Sequence, residues 1–395
     1  MIIKEINIMD NRSESIVNFA QTLIKIPSQG GIDPPDEILK VINDWFESNQ
    51  LHGCILLDQE DRKVGFSYEI VGIEEGPTYC LNACTDTAPF GDLDQWKFYP
   101  TSAIINNGWL YGRGSADSKI SVSIFSHIAK ELSKEKEKFK GTISFLFDAD
   151  EHSGKLGGIK TFVKNKKNID GVMIGYPGNY GVIIGARGFF RAKITVYGTS
   201  MHTGSTKPIT ENAIEKASLL VHNLSKVDLP CKEDALFQLD PKLTVTSIRG
   251  GEGYSIVPDK CVVSIDMRLT PKFDSKKANN LIQEMCIKLD EKFKTHRSTE
   301  ILYEESWPAY ILPNSCYFAD LLAKEAASFL KREVPKVICG PSNIGNYLST
   351  LGIQATCGFG VTYKSYHAPN ECIDLSSINV VGQTYLSTIK KLLLV

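Results

Sequence analysis

No run of apolar residues in this 395-residue chain reaches the roughly 20 residues that a membrane-spanning helix needs. A membrane-embedded protein is therefore not expected. Neither half is strongly basic: Lys plus Arg number 44 against 46 for Asp plus Glu, a formal net charge of −2. A nucleic-acid partner, which calls for a basic face, is not expected either. Residues 1–7, Met-Ile-Ile-Lys-Glu-Ile-Asn, hold no basic region followed by a long apolar one, so no signal peptide is predicted. The ten cysteines lack any paired spacing, and Cys80, Cys261 and Cys339 sit inside apolar, strand-like runs. Free, buried thiols of a reducing compartment have this pattern. There is no internal repeat and no low-complexity linker. These absences predict a soluble, cytoplasmic protein.

What is present is enough for two domains, because a chain this long exceeds the size at which one hydrophobic core stops growing. Helical spacing of apolar residues predicts helices over 13–26, 36–49 and 118–132. Short apolar runs predict strands over 63–71, 78–83, 142–147 and 171–175. Strands alternating with helices imply an α/β sheet covered on both faces. Near Gly185 the pattern changes to a strand (190–197), a helix (211–224), two strands (243–249, 262–269), a helix (276–293) and a strand (299–304). That order is the split arrangement of a ferredoxin-like unit. The α/β pattern then resumes, with helices over 317–331 and 376–394 and strands over 336–339 and 354–358. The prediction is an α/β domain with a mixed central sheet, formed by residues 1–185 and 306–395. An α+β lid or dimerisation domain, residues 186–305, is inserted into it.

Four clusters of metal-type ligands fall at the ends of the predicted α/β strands. They are Cys84-Thr85-Asp86; Asp117, in the turn of residues 111–119; Asp148-Ala149-Asp150-Glu151-His152; and Tyr366-His367 with Glu371 following. Ligands of open α/β sheets bind outside the carboxyl ends of the strands, so these clusters can converge. Each has an ordinary reading too. Asp117 could cap a core helix, 150–152 could be a polar loop, and a lone His367 is more often a surface or satisfied histidine.

The order of motifs resembles the zinc aminoacylase and exopeptidase family that includes carboxypeptidase G, acetylornithine deacetylase and succinyl-diaminopimelate desuccinylase. The matching segments are Trp96 to Lys119, with Gly-Arg-Gly-x-x-Asp-x-Lys, Asp150-Glu151 followed by Gly157-Gly158, and His367-x-Pro-Asn-Glu371. Met201-His-Thr-Gly204 and Val257-Pro-Asp259 followed by Asp266-x-Arg268 extend the match over essentially the whole chain. The resemblance implies a phosphorylase/hydrolase-like catalytic domain and two zinc ions sharing one aspartate. Asp117 matches that aspartate, and Glu151 and His367 match the other ligands of one zinc. Asp86 matches the residue that orients the first metal ligand. His202 matches a histidine that reaches the oxyanion of a partner protomer's substrate, which implies a homodimer through the inserted domain. Arg268 matches an arginine that holds a substrate carboxylate, a task suited to its rigid fork of donors.

Four departures from that pattern are chemically serious. Cys84 replaces the first histidine ligand, and Tyr176 replaces the carboxylate ligand after strand 171–175. A thiolate binds zinc well, but a phenol ionising near pH 10 binds it poorly. One zinc is therefore expected at Asp117, Glu151 and His367, and a second site that is weak or empty. Asp150 replaces the glutamate general base and is one methylene shorter. Ser255 and the pair Ser342-Asn343 replace an asparagine and a threonine-aspartate pair at substrate-binding positions. His152 could serve as a base or an extra ligand, but a residue next to a ligand usually points elsewhere. The leading expectation is hydrolysis of the amide bond of a small N-acyl amino acid or dipeptide with a free carboxylate. The alternatives are an acyl-transfer, condensation or metal-free reaction in a biosynthetic pathway, and a binding protein that kept the cleft without catalysis.

Overall fold

The computed structural model describes residues 11–166, 168–209, 211–229, 237–293 and 295–394. Residues 1–7, read above for a signal peptide, and Cys231 lie outside these. Two compact units are formed: Met1–Ile184, Leu312–Val337 and Gly352–Val395 make the first, and Gly185–Ile311 with Ile338–Leu351 make the second. Each has its own apolar core.

The first unit is built on a six-stranded mixed sheet. Its strands lie in the order Cys54–Leu57, Lys63–Val71, Lys140–Asp148, Glu74–Cys84, Gly171–Ile174 and Ala355–Cys357. The first two pairings are antiparallel and the last three are parallel. Four neighbouring strands therefore point their carboxyl ends to the same edge, in a register that pairs Cys84 with Asp148, Asn82 with Ile174, and Ile174 with Cys357. The parallel strands read as continuous apolar runs because helices cover them: Phe145, Leu146, Phe147, Val172, Met173 and Ile174 are all fully buried. Helix Ile120–Leu132 and helix Asn11–Lys25 pack together, as the 3.6-residue spacing of their apolar side chains requires.

The second unit is a four-stranded antiparallel sheet, ordered Lys242–Gly250, Lys260–Leu269, Gly188–Tyr197, Glu300–Trp307. In chain order this is second, third, first, fourth, the ferredoxin-like arrangement. Helices Ala213–Lys226 and Ser275–Lys292 pack against each other and the sheet.

The segment 338–351, expected in the catalytic domain, belongs instead to the second unit. Part-buried hydrogen bonds explain why. Asn346 Nδ2 donates to the carbonyls of Arg187 and Pro308 at 3.2 and 2.8 Å, and Ser342 Oγ donates to that of Arg187 at 2.7 Å. The sequence pattern did not mark strand Val182–Ala186 or helices Gly157–Asn165 and Ile344–Thr350. All are short, below the length at which periodicity separates a helix from an apolar loop.

Candidate metal centre

Residues 111–119 make the turn that carries Asp117. Gly112 has φ +150° and Gly114 has φ +83°, and a Cβ on either would meet Ile24 Cγ2 at 2.5 Å or Thr87 Cγ2 at 2.7 Å. Glycine is what lets this backbone pass. The turn is held from outside by Glu371, which is fully buried. Its carboxylate accepts from the backbone N–H of Ala116 at 2.9 Å and of Asp117 at 3.3 Å, and pairs with Arg113 Nη1 at 2.6 Å. Lys119, also buried, donates to the carbonyls of Leu23 and Ile26 at 2.9 and 2.7 Å, and burial pushes its ammonium down to about 7. The helix starts at Ile120 rather than Ser118, because Asp117 and Ser118 have non-helical φ and ψ. Asp117 is not a helix cap.

The parallel strands bring the other clusters to this turn. Cys84 ends one strand, Asp86 lies two residues beyond it, the 150–152 loop follows the adjacent strand, and Tyr176 follows the next. Asp117 Oδ2 lies 3.0 Å from His152 Nε2 and 2.8 Å from His367 Nε2. Its other oxygen, Oδ1, is buried with no hydrogen-bond partner. Burial alone would push this carboxyl up, but the two imidazoles outweigh it and hold it below the usual carboxylate range.

His152 does not point elsewhere. Its backbone N–H donates to Asp86 Oδ2 at 2.7 Å, and its Nδ1 lies 3.4 Å from Asp86 Oδ1 and 3.1 Å from Glu151 Oε2. Burial opposes its protonation, yet the carboxylates of Glu151, Asp117 and Asp86 raise the imidazole well above its ordinary value. The expectation failed because a loop this tight turns successive side chains toward one centre, unlike a strand or a helix. The signal that could have found it was the free carboxylate of Asp86, left without a histidine at position 84.

Glu151 makes other partners in this arrangement. Tyr176 Oη donates to Glu151 Oε1 at 2.7 Å, and the Cys84 thiol faces Tyr176 Oη at 3.7 Å. Burial, then neighbouring carboxylates, push the Cys84 thiol well up; burial, then Cys84 and Glu151, do the same for the Tyr176 phenol. Both are therefore neutral near pH 7. Asp150 Oδ1 accepts from Ser153 Oγ at 2.5 Å, within its own loop. Tyr366 stacks on His367, with ring centroids 4.1 Å apart, and burial with the Asp117 and Glu151 charges raises its phenol. Sequence reasoning gave Tyr366 no role.

Among the described residues, two sets of side chains could hold a metal ion: Asp117, His152 and His367, and Cys84, Glu151 and His152, the ligand atoms of each set lying within 4.8 Å of one another. The first set fits a metal ion. It offers two imidazoles and a carboxylate, and it contains a buried carboxylate oxygen that nothing else satisfies. The second shares His152 with the first and holds the Cys84 thiol and a carboxylate that already accepts a hydrogen bond from Tyr176.

His202, Ser255, Arg268, Ser342 and Asn343 lie in the second unit. Gly204 N–H donates to His202 Nδ1 at 2.9 Å, which leaves the ring proton on Nε2, free to donate outward. Arg268 is paired through Nε with Asp266 Oδ1 at 2.8 Å, and its Nη1 reaches Ser342 Oγ at 3.4 Å. Asn343 caps helix Ile344–Thr350 by accepting from Gly345 N–H at 2.8 Å, and Ser255 O accepts from Thr203 N–H at 3.0 Å.

Residues 80–391 match the model of peptidase family M20/M25/M40, and the chain belongs to that family. It is thereby a hydrolase acting on amide or peptide bonds, of a metal-dependent kind. A succinyl-diaminopimelate desuccinylase from Buchnera aphidicola is 24% identical over 400 residues, covering 96% of this chain and 99% of the relative. Among solved structures, an M20 family metallo-carboxypeptidase from Sulfolobus solfataricus superposes with a TM-score of 0.77 at 20% identity, covering 97% of this chain and 99% of the other. A tripeptidase from Staphylococcus aureus does so at 0.77 and 20%, covering 96% and 98%.

Proposed function

We propose that this chain hydrolyses the amide bond of a small N-acyl amino acid or dipeptide bearing a free carboxylate, with a single zinc ion. The observation that carries the reading is Asp117, a buried carboxylate with one oxygen facing two imidazoles and the other unpartnered. Zinc held there would supply Lewis acidity toward an amide carbonyl and would lower the pKa of water toward neutrality. The chain's own groups do the rest. Asp117 and His367 hold the ion, and Asp86 orients an imidazole beside it, as partners of metal-bound histidines do. Asp150 carries the proton between water and the leaving amine, and its bond from Ser153 fixes the shorter side chain. Arg268 holds the substrate carboxylate with its fork of donors, beside Ser255, Ser342 and Asn343. His202, whose Nε2–H is free, donates to the developing oxyanion of a partner protomer's substrate.

The proposed enzyme is a cytoplasmic homodimer joined through its second unit. Among the described residues no helix is long and apolar enough to cross a membrane, which fits that assignment. The Tyr176–Glu151 bond favours one other reading, a metal-free acyl transfer or condensation in which the phenol contacts substrate. Zinc analysis with a screen of N-acyl amino acids separates them. About one zinc per chain, with hydrolysis lost to a chelator and restored by zinc, is the expected result. Turnover that survives complete metal removal would overturn the hydrolase reading in favour of the other.

A further inference from the structure

Asp86, which the resemblance pairs with a histidine at position 84, holds a different imidazole in this fold. Cys84 ends its strand with the thiol turned to Tyr176, and Asp86, two residues on, has no histidine at position 84 to orient. The space is filled from the neighbouring strand's loop. His152 presents Nδ1 to Asp86 and Glu151 and Nε2 to Asp117, the arrangement in which a carboxylate fixes the tautomer of a histidine whose other nitrogen binds a metal. Its backbone is fixed as well as its ring. Asp86 accepts the His152 N–H, and Gly30 lies so close that a Cβ there would come within 2.7 Å of the His152 carbonyl carbon and 2.8 Å of Asp86 Oδ2. Asp117 Oδ1 is buried without a hydrogen-bond partner while Oδ2 faces both imidazoles.

We propose that His152 is the third protein ligand of the single metal site, with Asp117 and His367, held by the Asp86 carboxylate. Glu151 then serves chiefly to hold the His152 ring and to accept the Tyr176 hydrogen bond, rather than as a metal ligand. Two imidazoles and one carboxylate form a three-ligand set that suits zinc and leaves a position open for water or substrate. This assignment rests on the proposed single-zinc reading, and the two can fail separately.

The test is zinc affinity of the full chain, measured by competition with a chromophoric chelator, with no turnover assay involved. His152→Ala and His152→Gln are compared with His367→Ala and with Asp86→Asn, and folding of each is checked by circular dichroism in the chelated state. His152→Gln preserves much of the side-chain volume in case the alanine variant does not fold. The proposal expects both His152 variants, like His367→Ala, to lose zinc affinity by more than about a hundredfold. Asp86→Asn should lose the smaller 10–100-fold typical of an orienting partner. Cobalt(II) loaded into wild type should give a visible absorption band that changes in His152→Gln. Zinc affinity within about threefold of wild type in a folded His152 variant overturns the ligand role and leaves the hydrolase reading standing. A wild-type chain that takes up no zinc at all overturns that reading, and this one with it.

Discussion

Arg113 and Glu371 bury opposite charges behind the turn that carries Asp117. Their side chains are 2% and 0% exposed and 2.6 Å apart. Arg113 also donates to the Pro89 carbonyl at 3.0 Å and lies over the Trp96 ring, 5.2 Å from its centroid. Removing one partner of such a pair leaves an uncompensated charge in a low-dielectric interior, which costs about 3–5 kcal/mol. Arg113→Ala should therefore lower the free energy of urea unfolding by that amount, and a loss under about 1 kcal/mol would show that water or another cation replaces the guanidinium. The motif that carried Arg113 and Glu371 was legible in the sequence. Their pairing across 258 residues was not, because nothing local to either names the other. Tyr176 shows the same limit. Its identity spoke against a second metal, but only the fold shows its hydroxyl spent on Glu151.

Helix Ile120–Leu132 was predicted from one apolar stripe, Ile120, Ile124, Ile128 and Leu132. In the fold it is buried on nearly every side, and the buried Ser123, Ser126 and His127 side chains find partners. Ser123 Oγ donates to the Ile16 carbonyl at 2.7 Å, and His127 places Nδ1 2.8 Å from the Ser123 carbonyl and Nε2 2.9 Å from Ser15 Oγ. Burial lowers the His127 imidazole to about 4. The unfolded chain takes up this proton near pH 6.5 and the native state does not until about pH 4, so stability falls as pH falls between those values. The loss at pH 5 is about 2 kcal/mol relative to pH 7.5. From pH 7.5 to pH 5 the urea-unfolding free energy should fall by about 2 kcal/mol more in wild type than in His127→Gln, and an equal fall would place the pH dependence elsewhere.

At the scale of the whole molecule, the two units carry different parts of the proposed chemistry, and His202 on the second is proposed to serve a partner protomer. The protein should sediment as a dimer. Mixing His202→Ala with Asp117→Asn, each inactive alone, should then restore activity, because a hybrid dimer contains one intact composite site. Equal mixing with free exchange would give up to about a quarter of the wild-type rate. No recovery from a mixture shown to have exchanged subunits would remove the trans role.

Composition and periodicity determined the two-unit plan, the alternation of strands and helices, and the ferredoxin-like order of the second unit, since burying an apolar face imposes the same period wherever it occurs. Motif spacing determined which residues end the parallel strands. Tertiary structure alone decided which of these meet. It turned His152 inward onto Asp117, gave Glu151 to Tyr176, and left one carboxylate oxygen open. The physical reason is that ligand geometry is set by side-chain direction at the ends of separate strands. Residue type and spacing fix the strand, but close packing of neighbouring loops fixes the direction.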